Sequence, residues 1–593
     1  MYATKYEPSR KQVGAWLKRK TNRNARPLSQ AELKAYSRRD PFTAGWELGV
    51  EICSKTWILH VLLERTFPHS QPRIALSCPE KFLEFPHVES NRLICLPEIP
   101  IDLYRPFEMV RQALEDSCAL IEGCVSQNQD DEFRREFVSY WNQSVSSAAK
   151  PIRSLLNDFE GTRSVSVWHG QHADIVGEDP DQIVHWLRAR GIEEPRAGGY
   201  SVDPGIFVRL DTAPVPDDFP KTIDEARSWL SAEGPGVIGI LEDLLPTSII
   251  TIVAGYTPQD SGAGLVGLRV YGPASFDRPG FRPGHVPPAI GVPTWYGKAG
   301  IEGQKVERID PAWVHGRGVN PDQEKLHMKT VSIFGCGALG SHIAVRLAQS
   351  GVGNFLLVDP EELVSANVGR HVLGIGSIGK NKATSLAASI SERFPHLEKV
   401  QAFPLAWQSL TDEQLQQVAD SDLIISAIAD WKAEGPLNDW HQMSGVDIPI
   451  MYAWLEEFAA AGHALLIRLS PGCLSCVVGP SGASECETNW PDEVIELQEP
   501  ACGVFFAPFG PTELGFTEAL VSDLALDVLT DRVENSCHRV YATTTQRVVE
   551  LGGEWTQQHM GFRPNGFEGR ITYEKEVLPS TDCPICSKHA QAA

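Results

Sequence analysis

No run of this sequence approaches the ~18 consecutive apolar residues that a membrane-spanning helix requires. The amino terminus, MYATKYEPSRKQVGAWLKRK, is basic but lacks the apolar core of a secretion signal. We therefore expect a cytoplasmic protein that does not bind membranes. In such a protein we expect the 13 cysteines to be thiols, metal ligands or nucleophiles and not to form disulfides.

Basic residues are also scarce, with 53 Lys and Arg against 76 Asp and Glu. A surface with this excess of negative charge repels phosphate backbones, so nucleic acid is not expected as the main partner. Internal repeats and low-complexity tracts are missing as well. The 42% hydrophobic and 22% charged residues are ordinary for globular chains, and we expect the whole chain to fold.

The length of 593 residues exceeds what one core can serve and predicts about three or four domains. Domain 1–150 carries short β segments (WELGV, TWILHVLLER, PRIALSC) and then a helix that begins near Pro106, so it should be α+β. Domain 151–300 alternates helical and strand-like pieces and is also expected to be α+β. Its Pro- and Gly-rich end, Pro279 to Gly303, is predicted to be a linker. Domain 301–593 begins as an α/β fold.

That last domain contains a glycine pattern between a strand and a helix, in TVSIFGCGALGSHIAVRLAQSGVGNFLLVDP. Gly335, Gly337 and Gly340 would let the backbone approach phosphates at the start of the helix, and Asp359 ends the next strand, where it can accept from a ribose hydroxyl. Nucleotide binding is favoured over a tight turn without a ligand. On these residues alone, NAD is the obvious ligand.

Further polar residues change that choice. Asn367, Arg370 and Lys382 supply amide and cationic donors that a triphosphate needs and a dinucleotide does not. The strand in DLIISAIAD ends in Asp430, a suitable magnesium ligand at the carboxyl edge of a parallel sheet. Any one of these residues could be an ordinary surface residue. Their order and spacing favour ATP with Mg²⁺.

Two C-x-x-C pairs, Cys473/Cys476 and Cys583/Cys586, offer the four thiolates of a tetrahedral zinc site. Four thiolates leave no open position for substrate, so Zn²⁺ would be structural. The pairs lie farther apart than in a compact zinc ribbon, which leaves unrelated buried thiols as the alternative.

From about Arg308 to Cys586 the sequence resembles the ubiquitin-activating family, including bacterial relatives that adenylate sulfur-carrier proteins. The resemblance rests on the glycine turn, Asp359, S-A-N-V-G-R-H, Lys382 and Asp430, and it implies a Rossmann-like domain that is usually a homodimer. It also implies that an upstream arginine, Arg308 or Arg317, reaches a neighbouring subunit's ATP. Widely separated C-x-x-C pairs often hold zinc in the bacterial members.

The same resemblance implies that Cys502, in EPACGVFFAPFGPTELG, forms a thioester, because the family's catalytic cysteine precedes a similar stretch and a helix. Cys486 and Cys537 compete with it for this role. Cys336, inside the glycine turn, is more suited to packing.

In the first domain, FPHVESNRLICL resembles the active-site segment of ubiquitin-conjugating enzymes, where a His-Pro-Asn triplet precedes Ile-Cys-Leu. Cys95 then corresponds to the catalytic cysteine, and His87 stands eight residues before it, in the position of the asparagine. An imidazole can also donate to an oxyanion or assist deprotonation of an amine. The tryptophan that usually follows the cysteine is missing from LPEIPIDLYRPFE.

A conjugating-like domain before an activating-like domain resembles the fusion enzymes of CBASS anti-phage operons, which act on the C-terminus of a cGAS-like nucleotidyltransferase. The implied function is ATP-dependent ligation of that C-terminus to a target lysine amine. Two alternatives remain. One is a sulfur-carrier adenylyltransferase whose N-terminal domain only binds, and the other is an NAD-dependent oxidoreductase.

Overall fold

The chain forms two compact units in a computed structural model. One unit holds residues 1–154, 158–178 and 202–307, and the other holds residues 155–157, 179–201 and 308–593. The three-domain division at residues 150 and 300 stays a prediction. The structure describes residues 6–20, 24–36, 41–78, 81–192, 199–258, 262–317, 319–394, 397–469, 472–479, 486–491, 508–564, 566–581, 583 and 585.

The first unit begins with a four-stranded antiparallel sheet. Its strands, in the order β1-β2-β3-β4, are β1 (Arg26–Pro27), β2 (Phe42–Ile52), β3 (Lys55–Glu64) and β4 (Arg73–Leu76). The helices of this region are Glu7–Lys20, Gln30–Lys34, Pro106–Ser126, Asp130–Arg135 and Phe137–Ser144. The predicted β segments and the helix that begins at Pro106 are confirmed.

Alternation along β3 explains how this sheet buries its core. Trp57, Leu59 and Val61 are buried and pack in one cluster with Met109 and Val110 of the helix Pro106–Ser126. Side chains two residues apart lie on the same face of a strand. Apolar side chains of the helix Pro106–Ser126 cover that face of β3. One sheet face covered by a long helix gives the expected α+β domain.

A second, eight-stranded sheet completes the first unit, in the order β11-β10-β9-β8-β6-β7-β5-β12. Its strands are β5 (Ile152–Ser154), β6 (Arg163–His169), β7 (Asp174–Gly177), β8 (Val202–Arg209), β9 (Ile249–Tyr256), β10 (Gly264–Tyr271), β11 (Gly300–Gln304) and β12 (Val306–Arg308). The helices are Ile223–Ala232, Pro235–Asp243 and Pro288–Tyr296. The predicted mixture of helices and strands in this region is confirmed.

The predicted linker from Pro279 to Gly303 is wrong. This stretch contains the helix Pro288–Tyr296 and most of β11, which pairs antiparallel with β10. Trp295 is 1% exposed, and its Nε1–H donates to the carbonyl oxygen of Pro273 at 2.8 Å. Proline suits the first turn of a helix, and a buried aromatic pair at its end supplies the apolar contact that a linker lacks.

The second unit contains a mixed eight-stranded sheet in the order β15-β14-β13-β16-β17-β18-β20-β22 and a two-stranded pair, β19-β21. Its strands are β13 (Thr330–Phe334), β14 (Asn354–Val358), β15 (Lys399–Phe403), β16 (Leu423–Ser426), β17 (Ile450–Leu455), β18 (Ala461–Ile467), β19 (Thr488–Asn489), β20 (Cys537–Ala542), β21 (Glu554–Trp555) and β22 (Ile571–Glu576). Its helices are Pro180–Ala189, Pro311–Gly316, Gln323–Met328, Ala338–Gln349, Lys382–Arg393, Asp412–Ala419, Trp431–Ser444, Leu474–Val478, Pro511–Leu529, Thr545–Glu550 and Gln557–Phe562. Among all the helices that the structure describes, none is long and apolar enough to cross a membrane.

Five strands of this sheet, from β15 to β17, run parallel. Val331 and Ile333 of β13 pack in a core with the helices Ala338–Gln349 and Pro511–Leu529, whereas Phe334 packs in a separate core with Leu437 and Trp407. Strands buried on both faces carry continuous apolar runs, as β13 does. The Rossmann-like α/β fold is confirmed, and the carboxyl ends of β13, β14 and β16 share one edge.

Candidate functional site

The glycine turn lies between β13 and the helix Ala338–Gln349. Gly335 has φ +84, a conformation that favours glycine, and a Cβ atom on Gly340 would lie 1.9 Å from the carbonyl oxygen of Gly335. Gly337 differs, because a Cβ atom there would meet no atom within 4 Å. Two glycines are therefore required by the backbone, and the third leaves open space at the start of the helix, where phosphate groups would fit.

Asp359 follows β14 and is 5% exposed. Its Oδ2 accepts from the backbone N–H of Cys336 at 2.7 Å, and its Oδ1 accepts from the N–H of Glu361 at 2.8 Å. Burial raises the pKa of this carboxyl group. The side chain thus joins the end of β14 to the glycine turn, at the edge where the sequence places the ribose ligand.

Lys382 lies beside Asp359, at the beginning of the helix Lys382–Arg393. It is buried, and its Nζ lies 2.5 Å from Oε2 of Glu361. The Asn381 side chain donates to the carbonyl oxygen of Asp359 at 2.8 Å. A cation is therefore held next to the predicted ribose ligand. Sequence reasoning missed Glu361, although its place two residues after Asp359 was a usable signal.

The motif S-A-N-V-G-R-H forms a 3₁₀ turn, Ser365–Arg370, and then His371. Asn367 accepts from the N–H of Val364 at 3.2 Å, and Arg370 donates to a carbonyl oxygen of the same turn at 3.0 Å. His371 is the link to the glycine turn, because its Nε2–H donates to the carbonyl oxygen of Cys336 at 2.7 Å. His371 is part of the sequence motif, but no role was predicted for it from the sequence.

The predicted strand end at Asp430 is wrong, because β16 ends at Ser426 and Asp430 follows four residues later. Ala427 borders the glycine turn, since a Cβ atom on Gly335 would lie 2.8 Å from its carbonyl oxygen. Asp430 comes three residues after Ala427. It is exposed and caps the helix Trp431–Ser444, accepting from the N–H of Lys432 at 2.9 Å. The preceding residue, Ala429, has φ 55. An exposed carboxylate on a left-handed turn at this edge suits a hard cation such as Mg²⁺.

Glu434 supports this turn and was missed by sequence reasoning. It is 8% exposed, and its Oε1 accepts from the Ser426 hydroxyl at 2.6 Å and from the N–H of Ala429 at 3.3 Å. Burial raises the pKa of Glu434 to about 7. Its position four residues after Asp430 on a helix was the available signal, because that spacing places two side chains on one face.

The two upstream arginines differ in their surroundings. Arg308 is buried and forms a forked pair with Asp310, through Nε at 2.8 Å and Nη2 at 2.7 Å. Arg317 has φ 51 and ends the helix Pro311–Gly316. Contact of either arginine with a neighbouring subunit's ATP stays a prediction.

Two segments of the second unit that are distant in sequence bring three cysteines together. The Sγ atom of Cys473 lies 3.9 Å from that of Cys476 and 3.6 Å from that of Cys583, and all three sulfur atoms lie within 4.8 Å of one another. Cys586 falls outside the described residues. Three clustered thiols match the ligand type and spacing of a zinc site, to which Cys586 would add the fourth ligand.

Cys95 lies in the first unit on the loop between β4 and the helix Pro106–Ser126, and it is exposed. Its N–H donates to the carbonyl oxygen of His87 at 2.7 Å, and the N–H of Ile94 donates to Ile74 of β4 at 2.8 Å. The loop is therefore fixed to the sheet edge while the thiol faces outward. The predicted pair, Cys95 and His87, is in direct backbone contact.

The His87 ring lies between two carboxylates. Its Nε2 is 3.7 Å from Oε2 of Glu132, and its Nδ1 is 3.8 Å from Oε2 of Glu136. The N–H of His87 donates to the hydroxyl oxygen of Tyr140 at 2.9 Å. Sequence reasoning missed these three residues because they follow His87 by 45 to 53 positions, and no local pattern connects them to it.

The two competing cysteines, Cys486 and Cys537, have pKa values above the usual range for a thiol. Burial raises the pKa of Cys537 to about 11 and that of Cys486 to about 12, so little thiolate exists at neutral pH. Cys336 is fully buried, as expected for packing, and burial raises its pKa as well. Cys502 falls outside the described residues, and its thioester role stays a prediction.

Two protein families match separate parts of the chain. Residues 315–523 match the ThiF family, and residues 17–149 match prokaryotic E2 family B. The first range contains the glycine turn, Asp359, Lys382 and Asp430, and the second contains His87 and Cys95. The order of the two matches is that expected from the sequence.

Individual relatives match at low identity. An "ATP-dependent ubiquitin transferase-like protein Cap2" from Pseudomonas aeruginosa is 22% identical and is matched over 79% of this chain and 84% of its own length. The Cap2 of Vibrio cholerae is 23% identical, over 71% of this chain and 75% of its own. Among solved structures, Escherichia coli MccB with AMPCPP and MccA is 20% identical with a TM-score of 0.31, covering 44% of this chain and 68% of that one.

Proposed function

We propose that this chain, a fusion of an E2-like domain with an E1-like, ThiF-type domain, activates the C-terminal carboxylate of a protein with ATP and conjugates it to an amine. One observation carries the proposal. The chain combines a glycine turn with open space over Gly337 and an exposed thiol, Cys95, fixed on an E2-type loop. Neither an NAD oxidoreductase nor a sulfur-carrier adenylyltransferase needs that thiol.

The nucleotide residues fit ATP. The open space at Gly337 would receive phosphates, Asp359 would accept from the ribose, and Lys382 would neutralise charge on the triphosphate. Asp430 would hold Mg²⁺, which when bound offsets the charge of the leaving pyrophosphate. In the first step the substrate carboxylate attacks the α-phosphorus, an acyl-adenylate forms, and pyrophosphate leaves.

Two thioesters would follow. The Cys502 thiolate attacks the acyl carbon and releases AMP, a good leaving group. The Cys95 thiolate then takes the acyl group and frees Cys502, an exchange that is nearly isoenergetic. Finally a lysine amine attacks the Cys95 thioester, an amide bond forms, and the C–S bond breaks to release the Cys95 thiolate. His87 would assist the loss of the amine proton or donate to the oxyanion.

The partner is the finer part of the proposal. The resemblance to CBASS fusion enzymes implies a cGAS-like nucleotidyltransferase as the activated protein, in anti-phage defence. The two relatives named "ATP-dependent ubiquitin transferase-like protein Cap2" support the conjugating activity. A homodimer, with Arg308 or Arg317 reaching the other subunit's ATP, and a structural zinc on the four cysteines complete the proposal. The cytoplasmic location stays a prediction.

A non-reducing gel tests the relay. With ATP, Mg²⁺ and the nucleotidyltransferase, we expect a thiol-sensitive adduct that Cys502→Ala abolishes and Cys95→Ala limits to Cys502. Cys95→Lys should trap an amide-linked partner, and Cys53→Ala is the matched control, because Cys53 is an exposed thiol of the same domain.

A final conjugate that survives Cys95→Ala would overturn the two-station relay. ATP-pyrophosphate exchange without any thioester on Cys95 would identify an adenylyltransferase with a binding module instead. Binding of NAD by a protein that ignores ATP would reject both.

A further inference from the structure

The loop that carries Cys95 contains a residue in an uncommon conformation. His87 has φ 61, in the left-handed region that residues other than glycine seldom adopt. Such a residue persists only where its surroundings hold it, and residues of this kind are concentrated at active sites. The group that holds His87 is therefore of functional interest.

Tyr140 is that group. Its hydroxyl oxygen accepts from the His87 N–H at 2.9 Å, and on the other side of the same residue the His87 carbonyl oxygen accepts from the Cys95 N–H at 2.7 Å. A continuous path of two hydrogen bonds thus runs from the tyrosine to the backbone of the proposed acyl carrier. His87 links Tyr140 to Cys95 along this path.

The Tyr140 side chain is buried and packed against another aromatic ring. It is 2% exposed, lies on the helix Phe137–Ser144, and packs edge-on against Phe133 with 4.8 Å between the ring centroids. Burial raises its pKa to about 12, so the hydroxyl stays neutral at physiological pH. Glu132 of the helix Asp130–Arg135 and Glu136, which lies between that helix and Phe137–Ser144, flank the His87 ring.

We propose that Tyr140 is a positioning residue for acyl transfer from Cys95, acting through His87. Its hydroxyl holds the left-handed backbone of His87, which in turn fixes the Cys95 backbone and directs the imidazole between Glu132 and Glu136. This inference rests on the proposed function, since it assumes that Cys95 carries the acyl group. Without the hydroxyl the His87 N–H loses its acceptor, and the ring leaves the position from which it serves the attacking amine.

The test is Tyr140→Phe in the full chain, with Tyr36→Phe as the matched control. Tyr36 is also 2% exposed in the same domain, and its hydroxyl lies 2.5 Å from Nδ1 of His60, on another hydrogen-bond path. In Tyr140→Phe we expect the discharge of the Cys95 thioester to lysine to slow by roughly fivefold, the effect of one net hydrogen bond. ATP-pyrophosphate exchange and formation of the Cys95 thioester should stay unchanged.

A second measurement needs no partner protein. Amide hydrogen exchange across residues 85–95 should be faster in Tyr140→Phe than in wild type, and unchanged in Tyr36→Phe. Equal discharge in Tyr140→Phe and wild type overturns the inference alone. The inference is also overturned if the discharge rate of the Cys95 thioester falls equally in Tyr140→Phe and Tyr36→Phe, because an equal fall would reflect general destabilisation. A wild-type protein that forms no Cys95 thioester overturns the proposed function together with this role for Tyr140, whatever the exchange rates.

Discussion

The carbonyl oxygen of Gly335 lies 1.9 Å from the position that a Cβ atom on Gly340 would occupy. No side chain can be accommodated at that distance, so the helix Ala338–Gln349 must move away from β13 if Gly340 gains a methyl group. We expect Gly340→Ala to cost about 1–3 kcal/mol of unfolding free energy. Chemical denaturation would measure this loss.

Gly337→Ala is the contrasting variant. Its φ of −76 suits alanine, and a Cβ atom there meets no protein atom within 4 Å. Stability should therefore change by less than about 0.5 kcal/mol. ATP binding should weaken, because the methyl group fills the space that phosphates need. Calorimetric titration that finds wild-type ATP affinity in Gly337→Ala would contradict this site.

The variant Asp430→Asn removes the negative charge of Asp430 but keeps its role as a helix cap. Asparagine caps a helix as well as aspartate does, so the helix Trp431–Ser444 should keep its start and the protein its stability. The loss of the charge at the proposed magnesium site should lower ATP-pyrophosphate exchange by roughly a hundredfold. Normal exchange in Asp430→Asn would reject the assignment, and an unfolded variant would show that the cap needs the charge.

Glu434 should make stability depend on pH. Burial raises its pKa from 4.5 to about 7, so the folded protein keeps a proton that the unfolded chain releases. The stabilisation is complete below pH 4.5 and is lost as pH rises towards 7, at about 1.4 kcal/mol per pH unit. Glu434→Gln should remove this slope in unfolding experiments, while Glu413→Gln, at an exposed position, should keep it. An identical slope in Glu434→Gln would contradict the prediction.

The three clustered thiols should bind zinc with a structural effect. We expect Cys583→Ser to lower the zinc content and, with it, the thermal unfolding midpoint by roughly 5–10 °C, because the ion joins segments that are distant in sequence. Cys53→Ser is the control, since Cys53 is exposed and stands outside the cluster. Elemental analysis that finds full zinc content in Cys583→Ser would disprove the site.

Much of this fold was predictable because its signals are local. The apolar runs of β13 and β14 enclose a glycine turn, and the predicted segments WELGV, TWILHVLLER and PRIALSC correspond to β2, β3 and β4. Asp359 and Asp430 were predictable for a similar reason. Each follows a parallel strand, Asp359 directly after β14 and Asp430 four residues after β16, and strand ends meet at one edge of the sheet.

Other features depend on residues far apart in the chain. Tyr140 lies 53 positions after His87, beyond the helices Pro106–Ser126 and Asp130–Arg135, and no spacing rule connects residues so far apart. The helix Pro288–Tyr296 was missed because its prolines and glycines indicate a linker, whereas the burial of Trp295 and Tyr296 decides its structure. Tertiary burial overrode local propensity there.

The path of the chain between the two units has a practical consequence for dissecting the protein. The chain passes from one unit to the other after residues 154, 157, 178, 201 and 307. The helix Pro180–Ala189 consequently belongs to the second unit, where His185 lies 3.2 Å from the carbonyl oxygen of Leu397. A protease cut or gene split at one point near residue 300 would place this helix on a different fragment from most of the second unit. The two units are interleaved in sequence, and halves expressed separately would each be incomplete.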